Sequence, residues 1–240
     1  MKPLSAGYQL GNRLLDALSM HDAEGLAGDV VILAIKAKQS TQSTGSRIEH
    51  VDFPIDAVLS VVATLRTGET VEVGTVGNES FVELEAALDS TLAFRTSFCQ
   101  VAGRVARMSA ERFQSRMVTS AAFAHVMRTN VSAALYSSQQ FAVCNLKHSV
   151  LQRCARWLAM TADRVDRPQF SLSREFLAIM LGAEPDVVAG AVAQLEQSGA
   201  AVYRGSDVRI LDSGALHDGA CECYTLSKAA FATSLSSWKP

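Results

Sequence analysis

The chain changes its hydrophobic period near Ala110, and that switch constrains its architecture more than any single motif. Before it, residues 29–113 hold β-branched runs separated by glycine-containing turns: VVILAIKA, HVDFPIDAVLSVVATL, TVEVGTVG and FRTSFCQVAGRVARM. Runs of this kind favour strands. VLSVVATL–RTGE–TVEVGTV predicts a hairpin with Gly68 in its turn. Four or more short strands in such a span predict a sandwich, roll or barrel. After the switch, residues 119–164 contain neither proline nor glycine and are rich in Ala, Leu, Val, Gln and Arg, a helical composition. Residues 110–117 suit a brief helix. Residues 8–19, YQLGNRLLDALS, suit another, with Leu14, Leu15 and Leu18 on one side.

Within the long stretch, Met127, Val131, Ala134, Ser138 and Phe141 fall at alternating spacings of four and three. That is a seam of the kind that pairs two helices, weakened here by the small Ala134 and the polar Ser138. The alternative is a helix packed on its own domain. A break near 144–148 divides the stretch into two helices.

The C-terminal third reads as helix, turn, helix and hairpin. Arg167-Pro168-Gln169 marks a linker, and Ser171 and Ser173 are both possible N-caps. Phe176, Leu177, Met180 and Leu181 give one buried face, Gly182 turns the chain, and Val187, Val188, Ala191, Val192 and Leu195 give a second. Gly199 suits the end of that helix. AVYR–GSD–VRIL then predicts a hairpin with a three-residue loop. In this order the pieces predict a winged helix-turn-helix. The whole is an α+β chain: a β-roll over 1–118, a long helix over 119–145, and the winged domain with a C-terminal tail over 146–240.

The net charge of −2 conceals a division. Residues 1–94 carry a net −7, residues 95–164 a net +8, and residues 165–225 a net −5. No apolar run approaches the roughly 18 residues that span a bilayer, and the N-terminus has no signal-peptide core. The expectation is a soluble cytoplasmic protein without membrane contact. The five cysteines are odd in number and scattered, which argues against a secreted disulfide framework. No His-x3-His or Cys-x2-Cys pair is present. Cys221-Glu222-Cys223 could hold a metal or form a redox pair, but a structural role is favoured, so no metal or cofactor is expected. His148 near Cys144 reads as helix packing. No Ser/His/Asp or Cys/His constellation suggests an enzyme.

The local wording is similar to one branch of the Crp/Fnr family of bacterial transcription regulators. It is carried by NRLLDAL (12–18), DFPIDAVLSVV (52–62), VEVGTVGNES (71–80), CNLKHSVLQRCARWLAMTADRV (144–165), FSLSREFLAIMLG (170–182) and CECY (221–224). The resemblance implies a homodimer with a sensory roll of the cyclic-nucleotide-binding type (a jelly roll), a dimerisation helix and a DNA-binding C-terminal domain. Cyclic-nucleotide members carry a Gly-Glu pair and, further on, an Arg followed by a small hydroxyl residue. Here the nearest candidates are Glu83, preceded by Val82, and Arg95 followed by Thr96. These are the candidate effector residues, and the effector itself is unnamed. The N-terminal cysteine cluster of the iron–sulfur members is missing, since the first cysteine is Cys99.

The second helix of the motif departs from its branch. Where the branch it resembles follows the Leu-Gly turn with Val-Arg-Arg and then Ser or Thr before a Val, this chain reads Ala183-Glu184-Pro185-Asp186-Val187. Pro at the first helical position and an acid in the first turn make a good helix start. They make a poor duplex contact, because duplex binding is driven largely by Lys and Arg at phosphates. Gly190 further along offers no side chain. Candidate compensating contacts are Lys147, Arg153, Ser173, Arg174, Arg204 and Arg209, although Arg153 and Arg156 could instead pair with acids across the domain interface. The expected function is a dimeric regulator of transcription with weakened or atypical base readout. The alternative is a relative that has lost DNA binding and acts as a sensor or protein-interaction module.

Overall fold

The structure is a computed structural model and describes residues 9–18, 26 and 28–236. The short N-terminal helix is α1 (Arg13–Asp16). The Asn12 side chain starts it by accepting the N–H groups of Leu14 and Leu15. Tyr8 and Ser19, the ends of the expected helix, lie outside the described residues.

Among the described residues, seven strands build the roll: β1 (Val30–Ile35), β2 (Ser40–Gln42), β3 (His50–Pro54), β4 (Val58–Thr64), β5 (Thr70–Val76), β6 (Thr96–Val101) and β7 (Gly103–Ser109). They form two antiparallel sheets, ordered β1-β7-β3 and β2-β6-β4-β5. The expected hairpin is β4–β5, with Thr64 opposite Thr70. Gly68 sits in its turn at φ +90°, a conformation that costs glycine little and most residues a good deal.

The period switch is the junction of β7 with α2 (Ala110–Thr119), whose first turn is capped by Ser109. Next come α3 (Ala121–Lys147) and α4 (Val150–Val165). The break falls at His148, where the backbone turns extended, and α4 starts on a reciprocal Ser149–Gln152 capping box. The roll shares one core with α1, α2 and the first half of α3. Phe53, Phe81, Phe113 and Phe123 run through it with neighbouring ring centroids 5.4–5.7 Å apart.

The winged domain holds β8 (Gln169–Ser171), α5 (Arg174–Leu181), α6 (Pro185–Gln197), β9 (Ala201–Arg204) and β10 (Asp207–Ile210). The helices α5 and α6 are bent by 112° across the turn. Gly182 closes α5 at φ +56°. Ser173, not Ser171, is the cap. Three details differ from expectation. Part of the expected linker is β8, which pairs with β10 as a third strand. Asp207 pairs with Arg204, so the hairpin loop is the two residues Gly205 and Ser206. Val187 is 51% exposed, because the buried stripe of α6 runs through Val188, Ala191, Val192 and Leu195 and Val187 sits to one side of it.

Two further helices follow, α7 (Ser213–Gly219) and α8 (Cys223–Ser236). The tail therefore returns to the rest of the chain. Cys223 sits beside Gln140 of α3, and Leu235 packs against the cluster that includes Val126 and Met127. The winged domain also rests on the roll. Trp157 Nε1 donates to Glu72 at 3.1 Å, Arg164 binds Glu79 at 2.6 Å, and Phe176 meets Phe98 edge-on with centroids 6.0 Å apart. Among the described residues, no single helix is long and apolar enough to cross a membrane.

Candidate nucleic-acid interface and effector cavity

The sharp bend between α5 and α6 presents the start of α6 to solvent. Glu184, Pro185, Asp186 and Gly190 are all exposed there. The candidate polar contacts divide into two groups. Ser173 is half-buried and its hydroxyl accepts the Phe176 N–H at 3.2 Å, so it serves the helix. Arg174 lies over the Tyr203 ring at 5.1 Å and pairs with Glu196 at 3.4 Å, which offsets its charge. Arg153 is turned inward, 7% exposed, and donates to the carbonyls of Asn145 and Leu181. It offers nothing to a phosphate. Lys147 in the last turn of α3, with Arg204 and Arg209 on the wing, is exposed, and none of the three has a carboxylate within 4 Å among the described residues.

Nor do Arg153 and Arg156 pair with acids across the interface. Arg156 lies over the Phe141 ring at 4.3 Å and donates to Met160 Sδ at 3.4 Å. Among the described residues neither arginine has a carboxylate within 4 Å, and the Nε of each is buried without an acceptor. The Arg153 guanidinium is enclosed against the ends of α3 and α5, and that of Arg156 between the Phe141 ring and Met160.

A cavity of about 310 Å³ opens in the roll between Val61, Val76, Phe81, Glu83, Arg95 and Ser97, with Ser138 of α3 on its edge. Glu83 and Arg95 thus meet at one cavity. Thr96 does not line it; its Oγ1 accepts the Thr44 N–H at 3.2 Å, and Ser97 supplies the hydroxyl instead. Glu83 is buried, in left-handed backbone at φ +60°, and accepts from Ser97 Oγ at 3.0 Å. Burial, with the nearby Asp52 charge, pushes its carboxyl up to about 8. Non-glycine residues held in this backbone region cluster at functional sites.

The expected seam on α3 is mostly taken up within the protomer. Met127 and Phe141 are buried, Val131 and Ala134 are half-buried, and Ser138 is the exposed member. The large apolar residues that α3 leaves exposed are Leu135, Tyr136, Val143 and Leu146.

The fold also brings together a cluster that the sequence offered only in separate pieces. Cys144, His148, Cys221 and Cys223 bring one ligand atom each within 4.8 Å of one another. The local signals were two: the four-residue step from Cys144 to His148, which places both at the end of α3, and Cys221-Glu222-Cys223, for which a structural role was expected. The other two cysteines arrive from the start of α8.

Comparisons with known proteins agree with this layout. Residues 152–218 match the sequence model of the Crp-like helix-turn-helix domain. No curated protein matches the chain in sequence. Among solved structures, FixK2 from Bradyrhizobium japonicum superposes with a TM-score of 0.67 at 13% identity, over 80% of this chain and 98% of its own. TTHB099, a CRP-family transcriptional regulator from Thermus thermophilus, gives 0.64 at 18% identity, over 78% and 96%. CLP, a c-di-GMP-responsive global regulator from Xanthomonas campestris, gives 0.61 at 18% identity, over 81% and 100%. Residues 152–218 are thus a Crp-like helix-turn-helix domain, on a chain that has the fold of the Crp/Fnr regulators.

Proposed function

We propose that the protein is a dimeric Crp/Fnr-type regulator of transcription that binds duplex DNA with weakened base readout. The observation that carries this reading is the intact geometry of the motif: two helices bent by 112°, with the start of the second and the wing beside it both exposed. That is the disposition in which a second helix enters the major groove. Phosphate contact falls to Lys147, Arg204 and Arg209. Glu184 and Asp186 repel phosphate where Arg or Lys would otherwise read it. The exposed Leu135, Tyr136, Val143 and Leu146 give α3 an apolar face for a second copy. An effector occupies the roll cavity beside Glu83 and Arg95, and Ser138 on the cavity edge links that site to α3.

The acidic tip favours one second reading, a module that has lost DNA and works through protein contacts. A titration against mixed-sequence duplex DNA at low salt separates the two. The regulator binds more tightly than about 10⁻⁴ M and loses affinity as salt rises. Absence of salt-sensitive binding gives the second reading the field. Sedimentation of the same protein reads a dimer, and a monomer at micromolar concentration removes that part of the proposal.

A further inference from the structure

We propose that Cys144, His148, Cys221 and Cys223 form a closed tetrahedral site for a zinc ion. Their composition, three thiols and one imidazole, is that of a structural zinc site with no open coordination position. The spacing fits. Zinc–sulfur bonds near 2.3 Å and zinc–nitrogen bonds near 2.0 Å put neighbouring ligand atoms roughly 3.5–3.8 Å apart in a tetrahedron. Cys144 Sγ and Cys221 Sγ are 3.4 Å apart, and Cys223 Sγ and His148 Nδ1 are 3.5 Å apart. The three cysteines are buried and His148 is half-buried, so an ion held there is shielded from exchange with solvent.

The surroundings are those of a metal site. His148 presents Nδ1 to the cluster while its Nε2 meets Glu222 at 3.2 Å. A carboxylate on the far nitrogen fixes the tautomer and orients the ring. Gln140 Nε2 donates to Cys223 Sγ at 3.2 Å. Three thiolates, one neutral imidazole and a divalent ion leave a net charge of −1. Arg153 and Arg156 answer it. Among the described residues both are buried without a carboxylate within 4 Å, and their charges act on Cys144, and that of Arg153 also on Cys221. An enclosed guanidinium is costly unless a negative group lies beside it; Arg156 also acts on Glu72, and for Arg153 a zinc–thiolate cluster is such a group. On binding, each thiol gives its proton to solvent. The ion joins the end of α3 to the start of α8, elements whose ligands lie 77 residues apart, at the elbow where α3 hands over to α4.

The test uses the untagged full-length chain, purified under reductant without chelator, with metal measured by inductively coupled plasma mass spectrometry. One zinc per chain is expected. Replacement by Co²⁺ is expected to give tetrahedral d–d bands with strong thiolate-to-cobalt charge transfer. Cys221→Ser and Cys223→Ser lose the metal, whereas Cys99→Ser and Cys154→Ser, which alter buried thiols outside the cluster, keep it. Glu222→Gln keeps the ion but holds it about tenfold or more weakly. If the cluster variants do not fold, the cobalt spectrum of the unaltered chain decides. The proposal is overturned if the reduced chain carries no zinc and takes up no cobalt, if Cys221→Ser folds and retains full metal, or if mass spectrometry finds a Cys144–Cys221 disulfide in place of a metal.

Discussion

Glu83 combines left-handed backbone, burial and the neighbouring Asp52 charge. Burial and the like charge both disfavour an ionised carboxylate, and the folded protein holds Glu83 protonated at neutral pH. It can therefore donate a hydrogen bond into the roll cavity as well as accept one from Ser97. The raised value has a stability consequence of definite sign. Below about pH 4.5 the carboxyl is protonated in both folded and unfolded chains and contributes nothing. Between 4.5 and about 8 only the unfolded chain ionises, so stability falls as pH rises, on the order of 1.4 kcal/mol per pH unit before relaxation. Above 8 the loss is complete. Glu72, pushed up to about 7 chiefly by burial, adds in the same direction over a narrower window. Glu83→Gln is expected to flatten the fall in Tm between pH 5 and pH 8 and to raise Tm at pH 8. A variant with the unaltered slope would show that Glu83 is ionised in the fold.

At the scale of elements, α6 separates two demands that one helix start usually meets together. Pro185 at its first position and Asp186 in its first turn favour the helix. Asp186, with Glu184 before it, also puts negative charge where a phosphate would come. Glu184→Arg with Pro185→Arg is expected to raise non-specific duplex affinity at least tenfold and to steepen its salt dependence, at a small cost in helix stability. Unchanged binding would place the DNA surface elsewhere than this tip. These elements were legible because their signals are local. The period switch at Ala110, the Gly68 turn, Gly182 and the Ser173 cap each lie within a few residues of what they determine. Packing across the chain was not legible. The inward turn of Arg153, the replacement of Thr96 by Ser97 at the cavity and the docking of α8 on α3 depend on neighbours far along the sequence. The Cys144–His148 step was visible, but its meaning depends on cysteines from the far end of the chain.

The whole molecule is held in one arrangement by contacts between the roll and α4. Arg164 reaches from α4 to Glu79 and Thr75, while Trp157 and Ser60 both donate to Glu72. All are buried, so losing one partner leaves a charge or donor enclosed without its complement. Gly77, just after β5, lies against the Arg164 side chain. A Cβ there would overlap the Arg164 side chain, and the backbone of Gly77 is not in the left-handed region. Gly77→Ala therefore tests the contact through steric overlap and not through backbone strain. With Arg164 displaced, Glu79 loses its partner at 2.6 Å, and a broken buried pair costs roughly 3–5 kcal/mol. The expected result is a lower melting temperature and a winged domain that unfolds separately from the roll, giving two calorimetric transitions where the unaltered chain gives one. Arg164→Ala tests the same contact with most of the overlap removed: it takes away the Cγ and Cδ atoms that the new methyl would meet, so Gly77→Ala with Arg164→Ala is expected to cost less than the sum of each alone. Strict additivity would show that Gly77 and Arg164 do not meet, and that something else seats the winged domain on the roll.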